Sequence, residues 1–332
     1  MTKFILFLLT ILGALNLTSC ESSSSHQETI AFTNPIIKSN DFFSGSNWND
    51  PHVMHDGNQF IMYASASKNF DGNVKIFRLI SENGINWELS PTNAVLEKSV
   101  SGWDSHSVET PAVIQYEGKY HLFYTGYSGT FSETQFYKIG HATSMDGISW
   151  TKDATFLLES TDPSGVPNLD FNQFIVGEPG PVIFDGKIYL YFTAVGANTS
   201  VSTTWEVIGL TTYDGTTWST PQSILEPDLT IYPRLSFYGY STPNAIVKDG
   251  KVHLYYDVVA DPWKQVKLHH AVSADGISGW LQDTSSLLNK EDFNWTQEEI
   301  RSPSALEYNE KLFMYFAGHT GTDLSIGLKT YP

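Results

Sequence analysis

A segment of about twenty residues recurs five times along the chain, and this repetition constrains the fold more than any other feature. The copies run from Asn49-Asp50-Pro51 to Tyr63, Val108-Glu109-Thr110-Pro111 to Tyr124, Gly177-Glu178-Pro179 to Tyr191, Ser241-Thr242-Pro243 to Tyr255, and Arg301-Ser302-Pro303 to Tyr315. Each reads as a strand, a tight turn (Asp56-Gly57, Glu117-Gly118, Asp185-Gly186, Asp249-Gly250, Asn309-Glu310) and an aromatic-rich second strand. A second phrase returns between the copies, from Ile80 to Trp87, Ala142 to Trp150, Thr211 to Trp218 and Ala271 to Trp280, each containing Asn-Gly or Asp-Gly. Such a dipeptide between apolar runs predicts a hairpin whose two turn residues both have positive φ. Two hairpins fill each period of 60–68 residues, so each period holds four strands. Four-stranded units repeated about an axis are propeller blades.

The fold expected is therefore all-β: one five-bladed β-propeller over residues 29–332. The last copy is short. Only one further strand, Ser325 to Lys329, fits after Tyr315, so the missing outer strand is expected from Thr29 to Lys38, which would close the ring. The recurring tryptophans Trp87, Trp150, Trp218 and Trp280 stand at one register and are assigned to packing between blades.

Aromatic residues make up 14% of the chain and charged residues only 17%, which suits a large β core. The formal charge of −17 disfavours nucleic acid and a basic membrane-binding face. With one cysteine, Cys20, neither an intrachain disulfide nor a cysteine zinc site can form. Lys3 precedes an apolar run from Phe4 to Leu17, too short to span a bilayer comfortably and laid out like a cleaved leader. Leu17-Thr18-Ser19-Cys20 resembles the bacterial lipobox, whose cysteine becomes the lipidated first residue. Residues 1–19 are thus expected to be a lipoprotein signal peptide, and 20–28 a serine-rich tether. The expected product is an exported monomeric lipoprotein, held at the cell envelope by its lipid alone.

Three copies carry a carboxylate beside the repeated proline: Asp50, Glu109 and Glu178. Innermost strands of a propeller start at one mouth of the axis, so these acids should converge on one cavity. Converging carboxylates raise at least one pKa, the condition for holding one acid protonated and another ionised. Glycosidic bond cleavage needs that pairing, one acid protonating the leaving oxygen and the other activating water or attacking the sugar.

Trp48-Asn49-Asp50-Pro51 resembles the Asn-Asp-Pro signature of the five-bladed β-propeller glycosidases, the superfamily of families 43 and 32. Glu178-Pro179-Gly180-Pro181 is similar to their acid-bearing blade start. The resemblance, over residues from about 40 to 332, implies a first-blade aspartate acting as base or nucleophile, a role that fits Asp50. It also implies a second acid that tunes pKa and a glutamate general acid. The match is incomplete. The family's second and third acids start the third and fourth blades, whereas here they start the second and third, and the fourth offers Ser241-Thr242-Pro243-Asn244.

Asp50 and Glu178 share the position before proline on alternate blades, which suggests that they face each other. That wider gap leaves room for a water, as in inverting enzymes, where the carboxyls are roughly 6.5–9.5 Å apart. The expected roles are Asp50 as general base, Glu178 as general acid, and Glu109 tuning pKa and holding substrate. His52, His106 and His319 are candidate substrate contacts near strand ends. Trp48, Trp103, Tyr127 and Trp263 are candidate sugar platforms. Arg301 and Arg234 are candidate partners for an acidic group on the substrate. No two of His52, His106 and His319 show metal-ligand spacing, so neither metal nor cofactor is expected. The function expected is an exo-acting, inverting hydrolase of an oligo- or polysaccharide. A non-catalytic glycan-binding propeller is the alternative, and a phosphorylase would need more than the three arginines present.

Overall fold

A computed structural model of the chain describes residues 31–129, 137–162, 170–198, 203–228, 230–232, 237–260, 264–321 and 323–332. Residues 33–332 form one compact unit. Cys20, Arg234 and Trp263 lie outside the described residues, as does the leader.

The unit is a ring of five blades, each starting at the axis. Blade I comprises Ser46–His55, Phe60–Lys68, Lys75–Ser81 and Glu88–Leu89. Blade II comprises Ser107–Tyr116, Lys119–Tyr127 and Lys138–Ser144, edged by Thr151–Lys152 and Leu158–Glu159. Blade III comprises Ile175–Phe184, Lys187–Asn198, Thr203–Tyr213 and Gln222–Leu225. Blade IV comprises Phe237–Lys248, Lys251–Ala260 and Lys264–Ser273, edged by Leu281–Gln282 and Leu288–Asn289. Blade V holds Glu299–Tyr308, Lys311–His319 and Leu324–Tyr331. Ile37 bridges antiparallel to Ile326, and Asn34 hydrogen-bonds both the carbonyl and the N–H of Leu328. The N-terminal segment thus covers the open edge of blade V, though by one isolated bridge at Ile37 and not by the strand expected over Thr29 to Lys38, of which Thr29 and Ile30 lie outside the described residues. Outer strands are shorter than the four-strand reading implied, which leaves little exposed edge for another chain to pair with.

The second strands are buried on both faces because each blade is sandwiched between two others. Tyr63, Phe123, Tyr191 and Tyr315 are wholly inaccessible. The recurring tryptophans do pack between blades. Trp87 meets Tyr315 edge-on, Trp150 meets Tyr63, Trp218 meets Phe123 and Trp280 meets Tyr191, with ring centroids 5.9–6.0 Å apart. Each ring reaches back to the second strand of the preceding blade. The three tyrosine hydroxyls then donate to turn carbonyls of the next blade: Tyr315 to Gly84, Tyr63 to Gly147 and Tyr191 to Gly276, at 2.7–2.9 Å. A Cβ on any of these glycines would lie 2.6–2.8 Å from the hydroxyl, and all three have positive φ, so the turns require glycine. Phe123 lacks the hydroxyl, and the corresponding turn at Gly215 accepts from Tyr213 instead.

The two classes of turn differ from expectation in one respect. Four inner turns, Glu117-Gly118 and Asp185-Gly186 among them, have positive φ at both residues, as type I′ hairpins require, whereas in Asp56-Gly57 only the glycine does. In the outer phrases only the glycine does. There Asn83, Asp146 or Asp275 accepts with its side chain from the N–H groups two and three residues on.

Candidate active site

Every innermost strand breaks register at its proline, between Asn49 and His52, Glu109 and Ala112, Gly177 and Gly180, Ser241 and Asn244, and Arg301 and Ser304. The residue before each proline has positive φ: Asp50 48°, Thr110 49°, Glu178 52°, Thr242 48° and Ser302 55°. Proline lacks an N–H to give the ladder, and the bulge takes up that loss while turning the preceding residue toward the axis. Left-handed backbone is unfavourable for these side chains, so the surrounding ring must hold it.

It does so by one repeated device. The N–H of Thr110 donates to Ser65 Oγ at 2.9 Å, that of Glu178 to Thr125 Oγ1 at 2.8 Å, and that of Thr242 to Thr193 Oγ1 at 2.8 Å. The Ser302 N–H donates to both oxygens of Asp257, at 3.0 and 3.1 Å. Each acceptor sits two residues beyond the repeated aromatic on the preceding blade, where blade V has Ala317.

The bulges bring Asp50, Glu109 and Glu178 together. Asp50 is buried, and its Oδ1 accepts from Ser302 Oγ at 2.8 Å. One oxygen of Glu178, Oε2, accepts from Thr193 Oγ1 at 2.6 Å and from the Thr242 N–H at 3.1 Å. Burial raises the Glu178 pKa, the Thr193 hydrogen bond opposes this, and the charge of Asp50 adds to it. Burial pushes Glu109 up to about 8, with the charges of Asp50 and Glu178 adding to it and Arg301 and a hydrogen bond with Tyr137 opposing. Burial is thus the larger cause at both glutamates, and repulsion among carboxylates sharing a small volume adds to it.

Two lobes flank these acids. The first, about 320 Å³, lies between blades I, II and V and is lined by Asp50, Glu109, Tyr127, Phe70 and Arg301. The second, about 360 Å³, lies between blades II, III and IV and is lined by Glu178, Thr193, Glu206, Ser241 and Tyr137. Tyr127 and Tyr137 stack at 4.6 Å and form the partition between them. Below, the five bulges leave an axial space of about 20 Å³. That is room for a single water.

Several candidate contacts fall elsewhere. Trp48 is fully buried against Phe42, Phe43 and Phe77, with its indole N–H on Ser46 Oγ, so it is core and offers no face to a sugar. Trp103 stacks on Tyr124 at 5.6 Å and packs into the apolar core shared by blades I and II. His52 donates from Nε2 to the Val113 carbonyl at 2.8 Å, and burial pushes its pKa down to about 4 against that hydrogen bond. It ties blade I to blade II. His106 stands behind Tyr127, ring to ring at 5.5 Å. His319 hydrogen-bonds Glu299 at 3.0 Å, and Glu299 pairs with Arg301 at 3.2 Å. Arg301 also donates to Asn49 Oδ1 at 3.2 Å. Arg301, a candidate partner for an acidic group on the substrate, thus already holds Glu299 and Asn49. Burial alone would raise the Glu299 pKa, but the His319 hydrogen bond and the Arg301 charge bring it below the ordinary value.

Four residues of the site escaped the sequence reading. Phe70, half exposed, and its neighbour Asn69 both have φ of 52°, which puts an aromatic ring at the rim of the first lobe. Tyr137 and Glu206 come from third-strand regions, where the repeat is least regular. Asp257 had a legible signal, an acid in the column otherwise occupied by Ser65, Thr125, Thr193 and Ala317. It is fully buried, and burial holds its pKa well above the ordinary carboxylate range against the Ser302 hydrogen bond. Among the described residues, no group of three or more His, Cys, Asp or Glu side chains could hold a metal ion.

The sequence matches no protein-family model and no curated protein. The fold is nevertheless similar to that of several solved structures. A thermostable family-43 glycoside hydrolase superposes with a TM-score of 0.69 at 16% identity, covering 90% of this chain and 92% of that one. An endo-arabinase from Bacteroides thetaiotaomicron gives 0.61 at 15% identity, covering 91% and 98%. A family 117 glycoside hydrolase from the marine bacterium Zobellia galactanivorans gives 0.61 at 13% identity, covering 86% and 85%.

Proposed function

We propose that this chain hydrolyses glycosidic bonds of an oligo- or polysaccharide, acting from chain ends and with inversion. The observation that carries this reading is the convergence of Asp50, Glu109 and Glu178 on bulges that the ring holds in left-handed backbone. Asp50 is the general base and Glu178 the general acid, its other oxygen, Oε1, facing the bond to be broken. Glu109, protonated at neutral pH, holds substrate and tunes its neighbours. The narrow axial space supports entry and exit by one mouth, as end-on cleavage requires. Glycoside hydrolases among the structural neighbours support the same chemistry, and two of them are described as arabinanases. Arg301, at the rim of the first lobe, suits a carboxylate or sulfate on the substrate.

The test is release of reducing sugar from arabinan, arabinoxylan, rhamnogalacturonan and agarose oligosaccharides, with the product anomer followed by NMR. Hydrolysis of at least one glycan, lost in Asp50→Asn, is expected. Binding without hydrolysis would favour the glycan-binding alternative, to which Thr242 in place of a blade IV acid lends support. Retention of configuration would make Asp50 a nucleophile. Loss of neutral and acidic substrates alike in Arg301→Ala would remove the charge-reading role.

Residues 1–28 support export and lipid attachment at Cys20, at the outer membrane. Labelled palmitate should enter the wild-type chain and not Cys20→Ala.

A further inference from the structure

The second lobe holds two buried polar atoms that the hydrolytic reading leaves unused. Glu206 Oε2 and Ser241 Oγ are inaccessible to solvent and find no hydrogen-bond partner among the described residues. Both residues line the lobe, and Ser241 is only 2% exposed. Native proteins rarely leave buried polar atoms unpaired, and such atoms beside a cavity are open to a partner brought by a ligand. Their position is built with care. Glu206 forms a parallel backbone bridge between blades III and IV, opposite Gly239, where a Cβ would stand 2.1 Å from the Glu206 carbonyl oxygen. Only glycine lets the two strands approach so closely, so the backbone that places Glu206 is fixed.

We propose that this lobe is the leaving-group subsite, in which Glu206 and Ser241 hydrogen-bond hydroxyls of the sugar being released. The inference rests on the hydrolytic reading for its orientation. In an inverting reaction the acid protonates the oxygen on the leaving-group side, while base and water act on the opposite face. Glu178, the acid, lines this lobe, and Asp50, the base, lines the other. The lobe's volume, about 360 Å³, lies within the ordinary range of ligand sites. Ile175 and Val195 give it an apolar wall suited to the C–H face of a sugar ring, and Gln265 adds a further polar group. Burial, with the charge of Glu178 adding to it, pushes Glu206 up to about 8, so at neutral pH it can donate as well as accept.

The experiment compares Glu206→Ala and Glu206→Gln on two probes: a 4-nitrophenyl glycoside, whose leaving group has no sugar hydroxyls, and α-1,5-arabinotriose with the trisaccharides of the other panel glycans. Glu206→Ala should raise KM for the trisaccharide about tenfold, the loss expected for one or two polar contacts, and leave the aryl glycoside within about twofold. Glu206→Gln, which keeps a donor and an acceptor, should restore trisaccharide KM. Equal losses on both probes would overturn the subsite and place Glu206 in the chemistry or the fold; no loss on either would also overturn it. Calorimetric titration of the trisaccharides into Asp50→Asn, with and without Glu206→Ala, separates the two readings. If the wild type hydrolyses nothing but Glu206→Ala still weakens binding, the hydrolytic reading fails and the sugar site stands. If none of the trisaccharides binds, or the double variant binds as tightly as Asp50→Asn, the subsite is wrong.

Discussion

The hydroxyl of Ser302 donates to Asp50 Oδ1 across 2.8 Å, joining residues 252 positions apart in the chain. Blade V therefore orients the group proposed as base on blade I. Removing the donor should cost less than removing the carboxylate. Ser302→Ala is expected to lower kcat about tenfold through one lost hydrogen bond. Asp50→Asn should lower it by about 10²–10⁴, the usual worth of a general base. Steady-state kinetics on an aryl glycoside, with thermal melts to exclude unfolding, check both; equal losses would assign Ser302 a direct part in the chemistry.

Glu109 links pH to stability. Its carboxyl binds a proton more tightly in the folded chain, with a pKa of about 8, than in the unfolded chain, near 4.5. The folded state is therefore favoured below the lower value, and this advantage is lost as pH rises through the higher one. The melting temperature should fall between pH 5 and pH 9, and Glu109→Gln should flatten the fall. Glu206 and Asp257 are shifted the same way, so some slope should persist in the variant. A profile unchanged by Glu109→Gln would mean that this carboxyl does not hold its proton in the folded state.

The acid can be told from its neighbour by leaving-group chemistry. Good leaving groups need little protonation, so Glu178→Gln should spare an activated aryl glycoside and lower activity on a natural glycan by about 10²–10⁴. Glu109→Gln should weaken both to a similar, smaller degree. If Glu109→Gln spares the activated substrate and Glu178→Gln abolishes both activities, the two roles are exchanged.

Phe70 offers a different kind of test. Its left-handed backbone costs the fold on the order of 1–2 kcal/mol. Phe70→Gly relieves that strain while removing the ring from the rim of the first lobe. KM should therefore rise several-fold, the scale of one lost stacking contact, with no loss of melting temperature. A variant that loses stability while keeping KM would make Phe70 a packing residue.

Much of this architecture was readable from residue types because it repeats. Five prolines and five turns gave the blades, and four tryptophans gave their mutual packing, since a side chain used identically in every copy answers to the ring and not to a substrate. The acids were readable for the opposite reason, as departures within one column. Trp48 misled because it is unique in its copy yet buried under Phe42 and Phe43, an arrangement set by a segment before the first repeat. Glu206 and Tyr137 lie where strand lengths vary between blades, so no column exists against which they stand out. Asp257 was hidden differently: its column was visible, but the job of that column, holding the next bulge, emerges only when neighbouring blades are seen together.

At four junctions a side chain on one blade holds the bulge of the next, and at the fifth the corresponding residue is Ala317. There the ring is joined by Ser302 to Asp50, Arg301 to Asn49, the Val53 N–H to Ser304, and Ile37 to Ile326. Every one of these ties unites the beginning of the chain with its final stretch. During synthesis, blade I must wait for almost the whole polypeptide before Asp50 acquires its donor and the N-terminal edge its cover. A chain interrupted before Ser302 has all three central acids but lacks the hydroxyl that orients Asp50, so the catalytic arrangement proposed here arises only once blade V is made.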